Sequence, residues 1–268
     1  MHSHNLDFAR LVVLAAHPDD ESIACAGLLQ RAASALVVFG VDGAPPHYGF
    51  EKQFGSLRKY SDARFHEASR ALRMIPGISV RRLTRPNGSV FLDQHLFLDL
   101  APAFASLRRI VSDFDPTLFV SHAFEGGHVD HDACHVLARH ASVEFGFTHL
   151  EFPLYWRREQ DGKDVFQQFR ESGHADFVLQ LTPQELNIKR QMLAEYHTQQ
   201  GLTSVFALDP ERFRPVDKER HANPTWPTYP FENRRSGLKS TEFLRKAKEF
   251  EQSIAKSHPR PQFSWIPA

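Results

Sequence analysis

Six apolar residues, Leu11–Ala16, run straight into His17-Pro18-Asp19-Asp20-Glu21. A short, uniformly apolar run reads as a buried strand, and the carboxyl end of such a strand is where open α/β sheets present ligands. Pro18 biases His17 toward extended backbone and itself suits the first turn of a following helix. His17 and Asp20 then lie three residues apart across a tight strand-to-helix turn, so both side chains can face one ion. Asp19, between them, points differently and is free to take a proton from a bound water. The alternative is that Asp19, Asp20 and Glu21 are first-turn acids favoured by the helix dipole, at roughly 0.3–1 kcal/mol each.

A second polar cluster, His122-Ala-Phe-Glu-Gly-Gly-His128-Val-Asp130-His131-Asp132, follows an apolar strand over Thr117–Ser121 and precedes a helix from Asp130 to about Arg139. Both clusters therefore occupy equivalent sheet positions, where they can meet. Gly126-Gly127 permits close backbone approach to a ligand. His135 and His140, on the same helix, read as structural. His17, Asp20 and His131 make a two-histidine, one-carboxylate set with coordination positions left for water and substrate. That pattern suits catalytic Zn2+, and the same set also suits Fe2+ or another divalent metal.

HPDDE followed by HVDH resembles the motif pair of the PIG-L/LmbE-like de-N-acetylases, and the similarity runs from about Leu11 to at least Gln199. The resemblance implies an α/β, Rossmann-like, mostly parallel doubly wound sheet with an irregular C-terminal portion. It implies zinc held by His17, Asp20 and His131, with Asp19 as general base. His128 stabilises or protonates the tetrahedral intermediate, and Asp130 sets its charge state. The implied substrate is a small-molecule N-acetylated amino sugar or glycoconjugate, and the products are acetate and a free amine. Arg64 and Glu67 are similar to the family's Arg-x-x-Glu pattern, whose arginine helps hold substrate; the alternative is an exposed helical ion pair. Asp42, in Asp42-Gly43-Ala44 at another strand's end, either borders the substrate or forms a turn. Lys189–Gln199 is similar to the family's late helix, which brings His197 and Gln199 toward the site or leaves them to pack a helix end. Where the mycothiol-precursor deacetylases carry a tyrosine two residues before the counterpart of His128, this chain has Gly126. Other readings are a deacylase of another N-acyl natural-product glycoside, a non-catalytic sugar-binding relative and a non-haem iron enzyme.

The βα alternation favours a parallel sheet over the β-barrel usual for non-haem iron oxygenases. Strands are expected at Leu11–Ala16, Leu36–Val41, Ile78–Leu83 and Thr117–Ser121, with helices over Glu21–Ala33, Leu57–Met74 and Leu98–Asp113. Beyond Leu150, Glu151–Trp156 and Asp176–Leu181 are strand-like, Pro183–Tyr196 is helical, and a last helix covers about Thr241–Ala255. One domain over 1–268 is expected, with a Rossmann-like core in 1–150 and an extension in 151–268 shaping the pocket. The long aromatic and proline-rich stretch Phe206–Gly237 is either a substrate-facing loop or a strap over the core.

With 41% hydrophobic and 24% charged residues in 268, the chain can bury a sizeable core. A formal net charge of +0 without a basic stripe argues against nucleic acid as a partner. Cys25 and Cys134 are too few for a disulfide framework and read as reduced core residues. The start, MHSHNLDF, lacks a signal-peptide core, and no run reaches the ~18–20 apolar residues of a membrane span. Cytoplasmic residence is the expectation, with His2 and His4 on a flexible tail.

Overall fold

The computed structural model describes residues 8–170, 177–216, 225–226, 229–233 and 237–257. In chain order the elements are β1 (Arg10–Ala15), α1 (Asp20–Arg31), β2 (Ser34–Phe39), α2 (Phe50–Phe54), α3 (Leu57–Leu72), β3 (Ile78–Arg82), α4 (Leu100–Phe114), β4 (Leu118–His122) and α5 (Val129–Phe145). There follow β5 (Thr148–Phe152), β6 (Tyr155–Arg157), β7 (Asp164–Phe166), β8 (Phe177–Leu179), α6 (Pro183–Ala194), α7 (Gln200–Thr203), β9 (Glu211–Pro215) and α8 (Ser240–Ser257).

Seven strands form one sheet in the order β3-β2-β1-β4-β5-β9-β8. The first five are parallel, whereas β9 runs antiparallel to both β5 and β8. The sheet is therefore mostly parallel, as expected. Helices cover both faces, which is why β1, β2 and β4 are buried at successive positions and not at alternate ones. Val12 and Leu14 of β1 pack with Phe119 and residues of α4, α5 and α8. Leu11 and Val13 face the other way, into residues of α1, α3 and α6.

The chain leaves β1 outward to β2 and β3, then returns to the other side of β1 as β4. Strand order reverses there, so the carboxyl ends of β1 and β4 flank the crevice where such sheets bind ligands. His17, just past β1, and His122, the last residue of β4, stand at those ends and open the two polar clusters.

Several expectations need correction. Glu151–Trp156 is not one strand: Pro153 has no N–H for the ladder, and the chain breaks there into β5 and β6. Helix α5 continues past Arg139 to Phe145 because its inward face stays buried as far as Ser142. Strand β9 lies inside Phe206–Gly237. Its sequence, ERFRP, hides an inward alternation in which Glu211 is buried against Lys189 at 2.8 Å and Phe213 is 0% exposed. In the same stretch Tyr229 and Phe231 pack into the core with Phe243, as a strap would. Asn223, Pro224, Arg234 and Arg235 lie outside the described residues, as do Asp176, His2 and His4. Cys25 and Cys134 are free and buried. Among the described residues, no helix is long and apolar enough to cross a membrane.

Candidate metal centre and cleft

His17 lies two residues beyond β1, and its own N–H donates to Asp20 Oδ2 at 2.8 Å across the turn into α1. His17 Nδ1 lies 3.2 Å from that same oxygen, His131 Nε2 lies 3.5 Å from it, and the two ring nitrogens are 3.3 Å apart. A tetrahedral ion with bonds of about 2.0–2.2 Å sets its ligands roughly 3.3–3.6 Å apart. The three donors expected from the sequence thus form one triangular face of the right size for a divalent cation.

The surroundings fit that role. The other ring nitrogen of His17 is buried without a hydrogen-bond partner, 3.6 Å from Asp93 Oδ2 and 3.5 Å from Asp130 Oδ2. Carboxylates behind a ligating imidazole orient it and raise its basicity. Burial opposes charge on His17, but Asp93, Asp130 and Asp20 outweigh it and raise its pKa well above the usual value. Burial likewise opposes ionisation of Asp20, yet His131 and His122 hold its carboxyl well below the usual range. The pocket favours positive charge at its centre.

Asp19 is 1% exposed, and burial pushes its carboxyl up to about 8 against the pull of Arg64. Arg64 Nη2 pairs with Asp19 Oδ2 at 3.1 Å. The same guanidinium donates to Gly43 O at 2.6 Å and Pro18 O at 2.7 Å. It therefore braces the turn carrying Asp19 while lining the cleft. The alternative of an exposed Arg64–Glu67 pair is overturned, since both are buried and Glu67 accepts instead from Thr198 N–H and Oγ1.

His128 caps α5: its Nδ1 accepts from Asp130 N–H at 3.2 Å, which leaves the ring proton on Nε2. Asp130 Oδ2 is 3.9 Å from that Nδ1, and the Asp130 carboxylate accepts the amides of Gln94 at 2.6 Å and Leu96 at 3.2 Å. Gly126 has φ +71°, and a Cβ there would lie 2.9 Å from Trp226 and 3.0 Å from Tyr229, so those rings fill the space of a side chain at 126.

The cluster forms the floor of a cleft of about 400 Å3. His17, Asp19, Asp20, Arg64, His128, His131 and Gln199 all line it. Gln199 donates to Tyr60 Oη at 2.6 Å. Asp42 is not a lining residue; its Oδ1 accepts the amides of Ala44 and Asp93 and shapes the turn. Three participants were missed in the sequence. His122 stacks on His131 at 4.0 Å and sits 3.3 Å from Asp20 Oδ2, and its place at the end of β4 was the available signal. Asp93 and Gln94 come from a loop with no motif. His135 pairs with Glu151 at 3.1 Å, away from the cleft, as a structural residue would.

The fold is that of an α/β protein with a cluster of histidines and aspartates, of a kind that could hold a metal ion, at the switch point of its sheet. Residues 12–142 match the family described as PIG-L, GlcNAc-PI de-N-acetylase. Comparison with curated protein sequences gives no match. Among solved structures, a deacetylase of the teicoplanin biosynthetic pathway superposes with a TM-score of 0.60 at 21% identity, covering 80% of this chain and 100% of that one. The A40926 pseudoaglycone deacetylase gives 0.56 at 20% identity, covering 74% and 85%. The N,N'-diacetylchitobiose deacetylase of Pyrococcus horikoshii gives 0.52 at 12%, covering 78% and 84%. At these identities the likeness is one of fold.

Proposed function

We propose that this chain is a zinc-dependent hydrolase that removes the N-acetyl group from an amino sugar or its glycoconjugate. The observation that carries the reading is the triangle of His17 Nδ1, Asp20 Oδ2 and His131 Nε2, none more than 3.5 Å from another, beside the buried carboxyl of Asp19. A bound divalent ion supplies Lewis acidity toward a carbonyl oxygen and a water.

The chain's own groups do the rest. Asp19, which lines the cleft beside the triangle with its carboxylate on Arg64, is placed to accept a proton from the attacking water. Arg64 keeps it aimed into the cleft. His128 donates from Nε2 toward the oxygen that becomes negative as the carbonyl carbon turns tetrahedral. Asp130, held by two backbone amides, fixes the end of α5 that His128 caps.

The test is release of acetate and primary amine from a panel of N-acetylated amino sugars by the zinc-loaded protein. Asp19→Asn is expected to keep metal content near normal while lowering kcat by about 10²–10⁴-fold. Unchanged turnover refutes the assignment of Asp19.

The rim of the cleft supports a second reading, action on N-acyl glycosides with larger apolar groups. Tyr48, Leu202 and Val205 line it at 37%, 49% and 50% exposure, an unusual amount of apolar surface to leave wet in one place. Higher kcat/KM for N-octanoyl than N-acetyl substrates selects this reading, and the reverse order removes it.

A further inference from the structure

Glu21 is 0% exposed, and among the described residues the groups that donate to it are all neutral. Oε2 accepts from the Asp19 N–H at 3.1 Å, and Oε1 accepts from the Ser22 hydroxyl at 2.7 Å and from the phenol of Tyr196. Tyr196, also 0% exposed, reaches this point from just beyond the end of α6, and its Oη lies 3.0 Å from Ser22 Oγ. Such burial is costly for a carboxyl with no cation beside it.

The backbone of Asp19 shows what the arrangement achieves. Asp19 precedes the first residue of α1, and its carbonyl accepts from Ser22 N and Ile23 N, both at 3.0 Å. An aspartate in that position ordinarily adopts extended backbone and turns its carboxylate onto the first amides of the helix. Asp19 does neither. Its φ is 134° with ψ −31°, a conformation that favours glycine, and its side chain makes no capping bond. The carboxylate instead meets Arg64 at the cleft. Strain of this kind persists only where surrounding contacts impose it. The contact available to impose it on the N–H side is Glu21.

We propose that Glu21 and Tyr196 are positioning residues: through the Asp19 N–H they hold this residue in the left-handed region, keeping its carboxylate off the helix end and in the cleft. The catalytic consequence rests on the reading of Asp19 as the proton acceptor; the conformational claim does not. It ties a residue near the end of α6 to one in the first turn after β1, and explains why Glu21 is buried when first-turn acids normally face water.

The experiment uses the full-length, zinc-loaded protein and two readouts. In thermal unfolding, Asp19→Gly is expected to melt about 2–4 °C above Asp19→Ala, because only glycine adopts this φ without strain. In a Glu21→Ala background that gap closes as the backbone relaxes. In steady-state kinetics, Tyr196→Phe keeps metal content and KM while lowering kcat by roughly 10–100-fold. Glu21→Gln, whose carbonyl still accepts the Asp19 N–H, retains more kcat than Glu21→Ala. A melting gap that survives in the Glu21→Ala background overturns the proposal, and so does Tyr196→Phe with unchanged kcat. If the parent protein releases no amine, the deacetylase reading fails, but the melting comparison still decides this one.

Discussion

Gly127 offers the sharpest test of how the cleft is assembled. A Cβ built on it would lie 2.0 Å from the carbonyl oxygen of Tyr155 and 3.1 Å from that carbonyl carbon, against 3.4–4 Å for ordinary contact. Gly127→Ala must therefore part the two backbones by more than an ångström, and neither is free to move. Glu125 Oε2 accepts Leu154 N–H at 2.8 Å, tying the β5–β6 connection to the loop before α5. Asp132 Oδ1 in turn accepts the amides of Glu125 at 2.9 Å and Gly126 at 3.1 Å. Overpacking costs about 1–3 kcal/mol, and breaking one or two of these hydrogen bonds adds about 1 kcal/mol each. The expected loss is about 2–5 kcal/mol, a fall in Tm on the order of 10 °C for a chain of this size. His128 is the next residue, and a displacement of about 1 Å at a reacting group lowers turnover roughly 100-fold. Differential scanning calorimetry and amine release measure the two effects. Gly201→Ala is the control, since nothing lies within 4 Å of a Cβ there. A Gly127→Ala protein that melts within 2 °C of the parent and turns over normally refutes the argument.

Three further outcomes are expected. His131→Ala removes one of three donors, so zinc measured by elemental analysis after dialysis should fall well below one per chain; full occupancy counts against the ligand triangle. Chelation should lower Tm because the buried carboxylates of Asp20, Asp93 and Asp130 around His17 then lose the ion's charge, and added zinc should restore it, by about 2.7 kcal/mol at 100 times Kd; a Tm indifferent to chelator and zinc contradicts this. Glu185 closes the capping box of α6 with Thr182 and pairs with Arg31 at 2.7 Å. The Arg31 hydrogen bond holds its carboxyl at about 2, below the usual 4.5. The folded value lies below the unfolded one, so the stabilisation is complete above about pH 4.5 and is lost as pH falls toward 2. Glu185→Ala should cost about 1 kcal/mol at neutral pH, with solvent screening limiting the ion pair's share. The gap from the parent in urea titrations should narrow on acidification, and a gap that widens is the wrong sign.

How much of this could be read beforehand follows from how each contact is encoded. The βα order and the residues His17 and Asp20 were legible because they follow an apolar run whose end the sheet places at the crevice, and His131 belongs to a polar cluster that opens at the end of a second such run. Two local signals suffice there: the run gives the strand, and the polar residues directly after it inherit the position. Asp93 had no such signal. It reaches His17 from the loop beyond β3, and its use depends on the Asp42 carboxylate capturing the Asp93 amide at 2.9 Å, a contact spanning 51 residues. Strand β9 was hidden for a related reason, because its inward positions include a charged residue whose partner, Lys189, lies 22 residues away. The apolar rim was unreadable as a rim, since Leu202 and Val205 look like ordinary core residues until the chain leaves them half exposed. Local patterning thus specifies which atoms gather at the end of the sheet, while pairings across many residues specify how they are aimed. Asp19 stands at the junction of the two: the motif puts a carboxylate after Pro18, and Glu21 of α1, Arg64 of α3 and Tyr196 beyond α6 are the groups we propose fix where it points.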